Sequence, residues 1–298
     1  VSRPPATRPG AGRATALTGR WTVVDGVRVF YRESVGPRPE GTSMVHLHGF
    51  GLSGRYLLPT AERLAGQFHT LVPDLPGFGR SGRARGSPGV TELADAAASF
   101  VEDRGLGSVT LVGNSMGCAV ICEFAHRHPD RLERAVLVAP AGGLHNQPMH
   151  RAIRQLARDG VREPARLVPV AVPDYLRYGV PSTVRMFRAL TRYPALERLL
   201  ELRVPTLVVV GSADPLMPDP RRIQQIAERI DNEVLLVVIH GAAHAVNFSH
   251  PGELANVIRQ FMADEPIRDD PDEPGDARVH EIHRGVRLPP LAPDEGPW

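Results

Sequence analysis

Three residues of this 298-residue chain have types and surroundings suited to nucleophilic chemistry. Ser115 lies in Gly113-Asn114-Ser115-Met116-Gly117. The apolar run Val109 to Val112 before it reads as a strand, and Cys118 to His126 after it reads as a helix. The segment is strand, sharp turn, helix, the setting in which G-x-S-x-G presents a serine. Side chains at the two glycine positions would collide with neighbouring chain, and a strained turn lifts Oγ above the sheet edge at a helix N-terminus. A serine hydroxyl is too weakly acidic to attack unaided and needs a base. Asp214, in Gly211-Ser212-Ala213-Asp214-Pro215, follows the apolar run Pro205 to Val210. His244, in His240-Gly241-Ala242-Ala243-His244, follows Glu233 to Ile239. His244 would serve as the base, and Asp214 would hold its tautomer and stabilise the imidazolium. An unperturbed histidine titrates near pH ~6.5, so activity is expected to fall below about that pH.

Other polar residues read as structural. Asp74 also follows a strand and is expected to organise the loop beneath the site. His48 belongs to a glycine-rich loop, His240 to a strand end, and His126, His128 and His250 to helix ends or surface. The twelve histidines show no ligand-like spacing, so no metal and no cofactor are expected. Cys118 and Cys122, four apart on the helix after Ser115, read as small buried residues.

These groups need a scaffold, and the periodicity supplies one. Arg20 to Val24 and Val27 to Arg32 flank Asp25-Gly26, a hairpin signal. Strands follow at Ser43 to His48, His69 to Val72, Val109 to Val112, Arg134 to Ala139, Pro205 to Val210 and Glu233 to Ile239. Helices are expected at Tyr56 to Gly66, Thr91 to Glu102 with Thr91 as cap, Cys118 to His126, Arg221 to Arg229 and Glu253 to Met262. Strands alternating with helices imply an α/β fold with a mostly parallel sheet covered on both faces. In such sheets ligands sit at the carboxyl ends of the strands, where Ser115, Asp214 and His244 fall. From 141 to 200 no comparable strand appears, only short amphipathic helices and prolines, so this stretch reads as a helical cap insertion. The core is then 20–140 and 201–264. Residues 1–19 and 265–298 read as disordered tails. Val279 to Ile282 and Val286 to Leu288 are the apolar clusters of the second tail that could dock.

Five motifs in order, His48-Gly49-Phe50-Gly51, Asp74-Leu75-Pro76-Gly77-Phe78-Gly79-Arg80-Ser81, Gly113-Asn114-Ser115-Met116-Gly117, Gly211-x-x-Asp214-x-x-x-Pro218 and Gly241-x-x-His244, resemble those of the α/β-hydrolase superfamily over roughly Arg20 to Met262. The resemblance implies that fold with a helical cap. It also implies an oxyanion hole made by the backbone N–H groups of Phe50 and Met116. Serine at the elbow sets the chain apart from the dehalogenase and epoxide-hydrolase branches, which carry Asp there. The Asn114-Ser115-Met116-Gly117 sequence is similar to that of hydrolases acting on ring-fission products. Those enzymes usually carry a further small-residue and proline run after the His-Gly pair, and tend to have Trp after the catalytic histidine. This chain has Ala245-Val246-Asn247 there. The reading is therefore a serine hydrolase cleaving a carboxylic ester of a small apolar substrate. Carbon–carbon or lactone and thioester hydrolysis is the alternative, and a non-catalytic small-ligand receptor the remote one. Leu144, Met149, Tyr175, Tyr178, Met186 and Phe187 are candidates to line the substrate pocket.

Composition bounds the partners. The formal charge is +2, so no strong overall field points to nucleic acid or a membrane surface. The charge is uneven: 1–20 carries four arginines and no acid, and from Asp264 onward ten acids face four arginines. Every basic residue is Arg, which excludes lysine Schiff-base chemistry and a P-loop lysine. No apolar run approaches ~18 residues and no hydrophobic leader is visible, so a cytoplasmic protein without a membrane span is expected.

Overall fold

The computed structural model describes residues 16–39, 41–83, 88–141, 149–216, 234–268 and 279–284. Among these residues, nine strands form one sheet in the order β1-β2-β4-β3-β5-β6-β7-β8-β9. They are β1 Leu17–Val24, β2 Val27–Ser34, β3 Ser43–Leu47, β4 Thr70–Pro73, β5 Val109–Asn114, β6 Leu132–Val138, β7 Thr206–Gly211, β8 Val234–Ile239 and β9 Val279–Arg284. Strands β3 to β8 run parallel, while β1, β2 and β9 add antiparallel edges. Asp25 and Gly26 join β1 to β2 with φ of 50° and 75°. Both central residues of a two-residue primed turn need such positive φ.

Successive residues of the parallel strands go to opposite sides, as strand geometry requires. Val45, Leu111, Leu137 and Val208 join one core cluster, with helices α2 Val90–Asp103 and α3 Met116–Arg127. Met44, Val112, Val136 and Leu207 join another, with α1 Leu58–Leu64 and α9 Pro251–Met262. Burial on both faces is why these strands read as unbroken apolar runs. Between β6 and β7 lie α4 Met149–Arg162, α5 Val168–Tyr178, α6 Val180–Arg192 and α7 Ala195–Leu200. A short α8, Val246–Ser249, follows His244.

Several expectations change. The chain enters the sheet at Leu17, not Arg20, because residues 17–19 pair with 32–34 of β2. Thr91 is not the cap of α2. Gly89 occupies that position, its N–H donating to Glu92 Oε2 at 2.8 Å, while the Thr91 hydroxyl donates to Glu123 at 3.2 Å. The tail after 264 is not disordered throughout. Residues 279–284 pair antiparallel with β8, Val237 opposite Ile282 and Ile239 opposite Val279. An apolar β8 left as an edge would present a row of unpaired N–H and C=O groups, and β9 covers them. The expected helix Arg221 to Arg229, Pro218, residues 1–15 and the remaining tail lie outside the described residues.

His46, on β3, is wholly buried, and both ring nitrogens lack a partner. Burial pushes its pKa down to about 3. Its folded pKa lies below the unfolded one, so the unfolded chain binds the extra proton. Stability from neutral His46 is complete above about pH 6.5 and is lost as pH falls toward 3. A His46→Leu variant should melt about 3 °C higher than the parent at pH 5, with the gap shrinking by pH 8. Equal acid sensitivity in thermal melts would contradict this. Deleting 269–298 should lower the melting temperature by about 3 °C or more, because β8 loses its partner. An unchanged melt would show that β9 adds nothing.

Candidate active site

The G-x-S-x-G turn has the geometry its composition requires. Ser115 sits between β5 and α3 at φ 57° and ψ −115°, a region that L-residues rarely occupy. Its N–H donates to Val138 O at 3.0 Å, tying the turn to β6. A Cβ on Gly113 would come within 2.6 Å of the Gly117 carbonyl carbon, and one on Gly117 would strike the Leu47 carbonyl oxygen. Glycine is required at both because α3 leaves the sheet directly against β3 and β5.

His244 and Asp214 come together from the loops after β8 and β7. His244 Nδ1 and Asp214 Oδ2 are 2.7 Å apart and both residues are buried. Asp214 Oδ1 also accepts the Leu216 N–H at 2.8 Å, which fixes the carboxylate plane. Ser115, His244, Phe50 and Met116 all line one cavity of about 360 Å³. Its other walls are mainly apolar and come largely from the helical insertion: Leu156, Leu167, Val168, Ala171, Val172, Tyr175, Phe187 and Leu190. Tyr175 and Phe187 were expected there. Tyr178 and Met186 instead pack in the adjoining core, with Tyr178 stacked on Phe78 at 4.4 Å between ring centroids. Leu144 and the Met149 side chain lie outside the described residues.

The neighbours explain the roles of the rival residues. Asp74 Oδ1 accepts from Arg32 Nη1 at 3.0 Å and from the Gly54 N–H at 2.9 Å, and Oδ2 accepts from the Arg80 N–H at 2.9 Å. It organises the loops beneath the cavity. His48 Nε2 accepts the Leu75 N–H at 2.9 Å, so Nδ1 carries the ring proton and donates to Gly49 O. Its pKa is lowered by burial. His240 is exposed at the end of β8, and His250 bonds Ser249. Cys118 and Cys122 are buried free thiols, both raised in pKa by burial.

The sequence reading missed two carboxylates. Asp159, in the last turn of α4, and Glu163, the residue just past its end, both line the cavity. Asp159 Oδ1 accepts the His244 N–H at 3.2 Å, and Glu163 Oε1 accepts the Ala245 N–H at 2.6 Å. On the same side of α4, Gln155 Nε2 donates to Pro215 O at 3.0 Å and Arg162 Nη1 to Ala213 O at 2.8 Å. One face of one helix thus grips both the acid loop and the histidine loop. The available signal was an i, i+4 pair of acids at the end of an otherwise arginine-rich helix. Burial raises both carboxyl pKa values, that of Glu163 to about 7. Burial alone would push the His244 pKa down. The Asp214 carboxylate at hydrogen-bond distance opposes this, with Asp159 and Glu163 behind it, and the imidazole is held up at about 9.

A model of the alpha/beta hydrolase family matches residues 44–257. The chain is 28% identical over 251 residues to the pimeloyl-[acyl-carrier protein] methyl ester esterase of Yersinia pseudotuberculosis, covering 73% of this chain and 92% of that one. It is 26% identical over 282 residues to the chloroplastic protein PHYLLO of Arabidopsis thaliana, but spans only 16% of that much longer protein. Among solved structures, a thermophilic esterase from Thermogutta terrifontis superposes with a TM-score of 0.64 at 24% identity, over 83% of this chain and 98% of that one. The matched span contains β3 to β8, the serine turn, the helical insertion and the paired acid and histidine loops, and the chain belongs to the alpha/beta hydrolase family.

Proposed function

We propose that this protein is a serine hydrolase that cleaves a carboxylic ester of a small apolar substrate through an acyl-enzyme intermediate. The observation that carries the reading is the 2.7 Å His244–Asp214 pair, whose histidine lines one mainly apolar cavity together with Ser115. The similarity to a methyl ester esterase points the same way. In the first step Ser115 Oγ attacks the ester carbonyl carbon while His244 Nε2 takes its proton. Asp214 holds the Nδ1–H and stabilises the imidazolium that forms. The carbonyl oxygen becomes an oxyanion facing the N–H groups of Phe50 and Met116. His244 then returns the proton to the leaving alkoxide. Water, activated by the same imidazole, releases the acid and restores the serine. The apolar walls suit an acyl chain or ring better than a sugar or phosphate.

Ser115→Ala and His244→Ala should each lower kcat for a nitrophenyl ester by on the order of 10⁴-fold or more, with melting unchanged. The double variant should be little worse than either single one. Full activity in Asp214→Asn, with loss in a folded Asp74→Asn, would reassign the acid.

The pH dependence differs from that of an unperturbed histidine. Only neutral His244 can act as base, and its imidazole is held protonated up to about pH 9. The rising limb of kcat/KM should therefore lie toward pH 9 rather than near pH ~6.5. Asp159→Asn with Glu163→Gln removes two negative neighbours, so the imidazolium is less stabilised and the limb should move to lower pH. A limb near pH ~6.5 that is unmoved in that variant would contradict the coupling.

A further inference from the structure

Seven of the ten exposed large apolar side chains among the described residues lie in the helical insertion. On α5 they are Val168, Val172 and Leu176, at i, i+4 and i+8, and so form one stripe. Val180 and Val184 continue the spacing on the first turns of α6. Leu176 is 78% exposed and Val180 75%, on either side of the Gly179 break that joins the two helices. Soluble proteins rarely leave such a row uncovered without an interaction to serve.

The charge around this row is one-sided. Residues 165–192 contain five arginines and one carboxylate, Asp174. That carboxylate is turned to the core, accepting from the N–H and hydroxyl of Ser53 at 2.9 and 2.6 Å. The outer surface therefore combines aliphatic side chains with guanidinium groups, and Arg185 and Arg188 are exposed beside Val184. The overall formal charge of +2 conceals this segregation. Val168 and Val172 are each about half exposed and also line the cavity that holds Ser115, so the row runs to the cavity mouth.

We propose that the outer face of α5 and the start of α6 docks the protein on an anionic lipid surface, with the cavity mouth opening against it. The aliphatic row would enter the acyl region and the arginines would meet the head-group phosphates. Two copies of the chain pair less well through this face. A two-fold dimer would bring two positively charged faces together, since residues 165–192 carry five arginines and one carboxylate that faces the core.

The test is sedimentation of the full chain with vesicles of ether-linked lipids, which an esterase cannot consume, so binding is read whether or not the protein hydrolyses esters. Binding to equimolar phosphatidylglycerol and phosphatidylcholine at low salt should exceed binding to phosphatidylcholine alone by about ten-fold or more, and should weaken in high salt. Leu176→Asp with Val184→Asp should reduce binding by about ten-fold or more, with melting and turnover of a short soluble ester within about two-fold. Arg185→Glu with Arg188→Glu, which leaves the aliphatic row intact, should abolish the preference for the anionic vesicle. Three outcomes would overturn the proposal: equal binding to both vesicles, binding to neither, or a dimer broken by the same substitutions in a chain that ignores vesicles.

Discussion

One buried amide joins the loops on which the site depends. Asn114 Nδ2 donates to Val138 O and to His244 O, each at 3.1 Å. Its Oδ1 accepts from the Tyr56 hydroxyl at 2.7 Å, and that hydroxyl oxygen accepts the Gly49 N–H at 2.7 Å. The residue before the serine is thus fixed to β6, to the histidine loop and to the loop that carries Phe50. Asn114 and Tyr56 are buried, so each of these bonds stands in a low dielectric and a lost partner would leave a desolvated polar group. The strained serine backbone persists because its surroundings over-determine it.

A second clamp acts from above. Gln155, Asp159 and Arg162 of α4, with Glu163 just past its end, hold the backbones of Ala213, Pro215, His244 and Ala245. The His244 loop is therefore fixed from the sheet side by Asn114, and the His244 and Asp214 loops together from the insertion side by α4 and Glu163. Coupling to α4 has an electrostatic consequence. On the proposed mechanism, Asp159 and Glu163 favour the imidazolium that forms as Ser115 gives up its proton. Behind Asp214, which contributes most, they also help hold the resting histidine in that form, which displaces its working range upward. Any movement of the insertion changes both the shape of the cavity and the proton affinity of His244.

The sheet and the serine turn were legible because their signals are local. Apolar β-branched runs, the Asp25-Gly26 turn and the two glycines around Ser115 each have one physical solution, and those solutions agree. The pairing of His244 with Asp214 was legible from their places after consecutive strands. The Asp159 and Glu163 contacts were not, since they depend on how α4 lies across loops some fifty or more residues away. The Gly89 cap of α2 was hidden because glycine has no side-chain acceptor, and the contact that marks it comes from Glu92 three residues on. Strand β9 was hidden by the charged, proline-rich stretch before it. Its pairing is explained by the open edge of β8, which is a property of the assembled sheet.

On the proposed mechanism Ser115 is a nucleophile activated by His244. Treatment with an alkyl fluorophosphonate, followed by mass spectrometry of the digested chain, tests it without knowledge of the natural substrate. One phosphonyl group per chain should form on the peptide containing Ser115, rapidly in the parent and far more slowly in His244→Ala. An unmodified Ser115 in a folded protein, or modification at the same rate without His244, would contradict it.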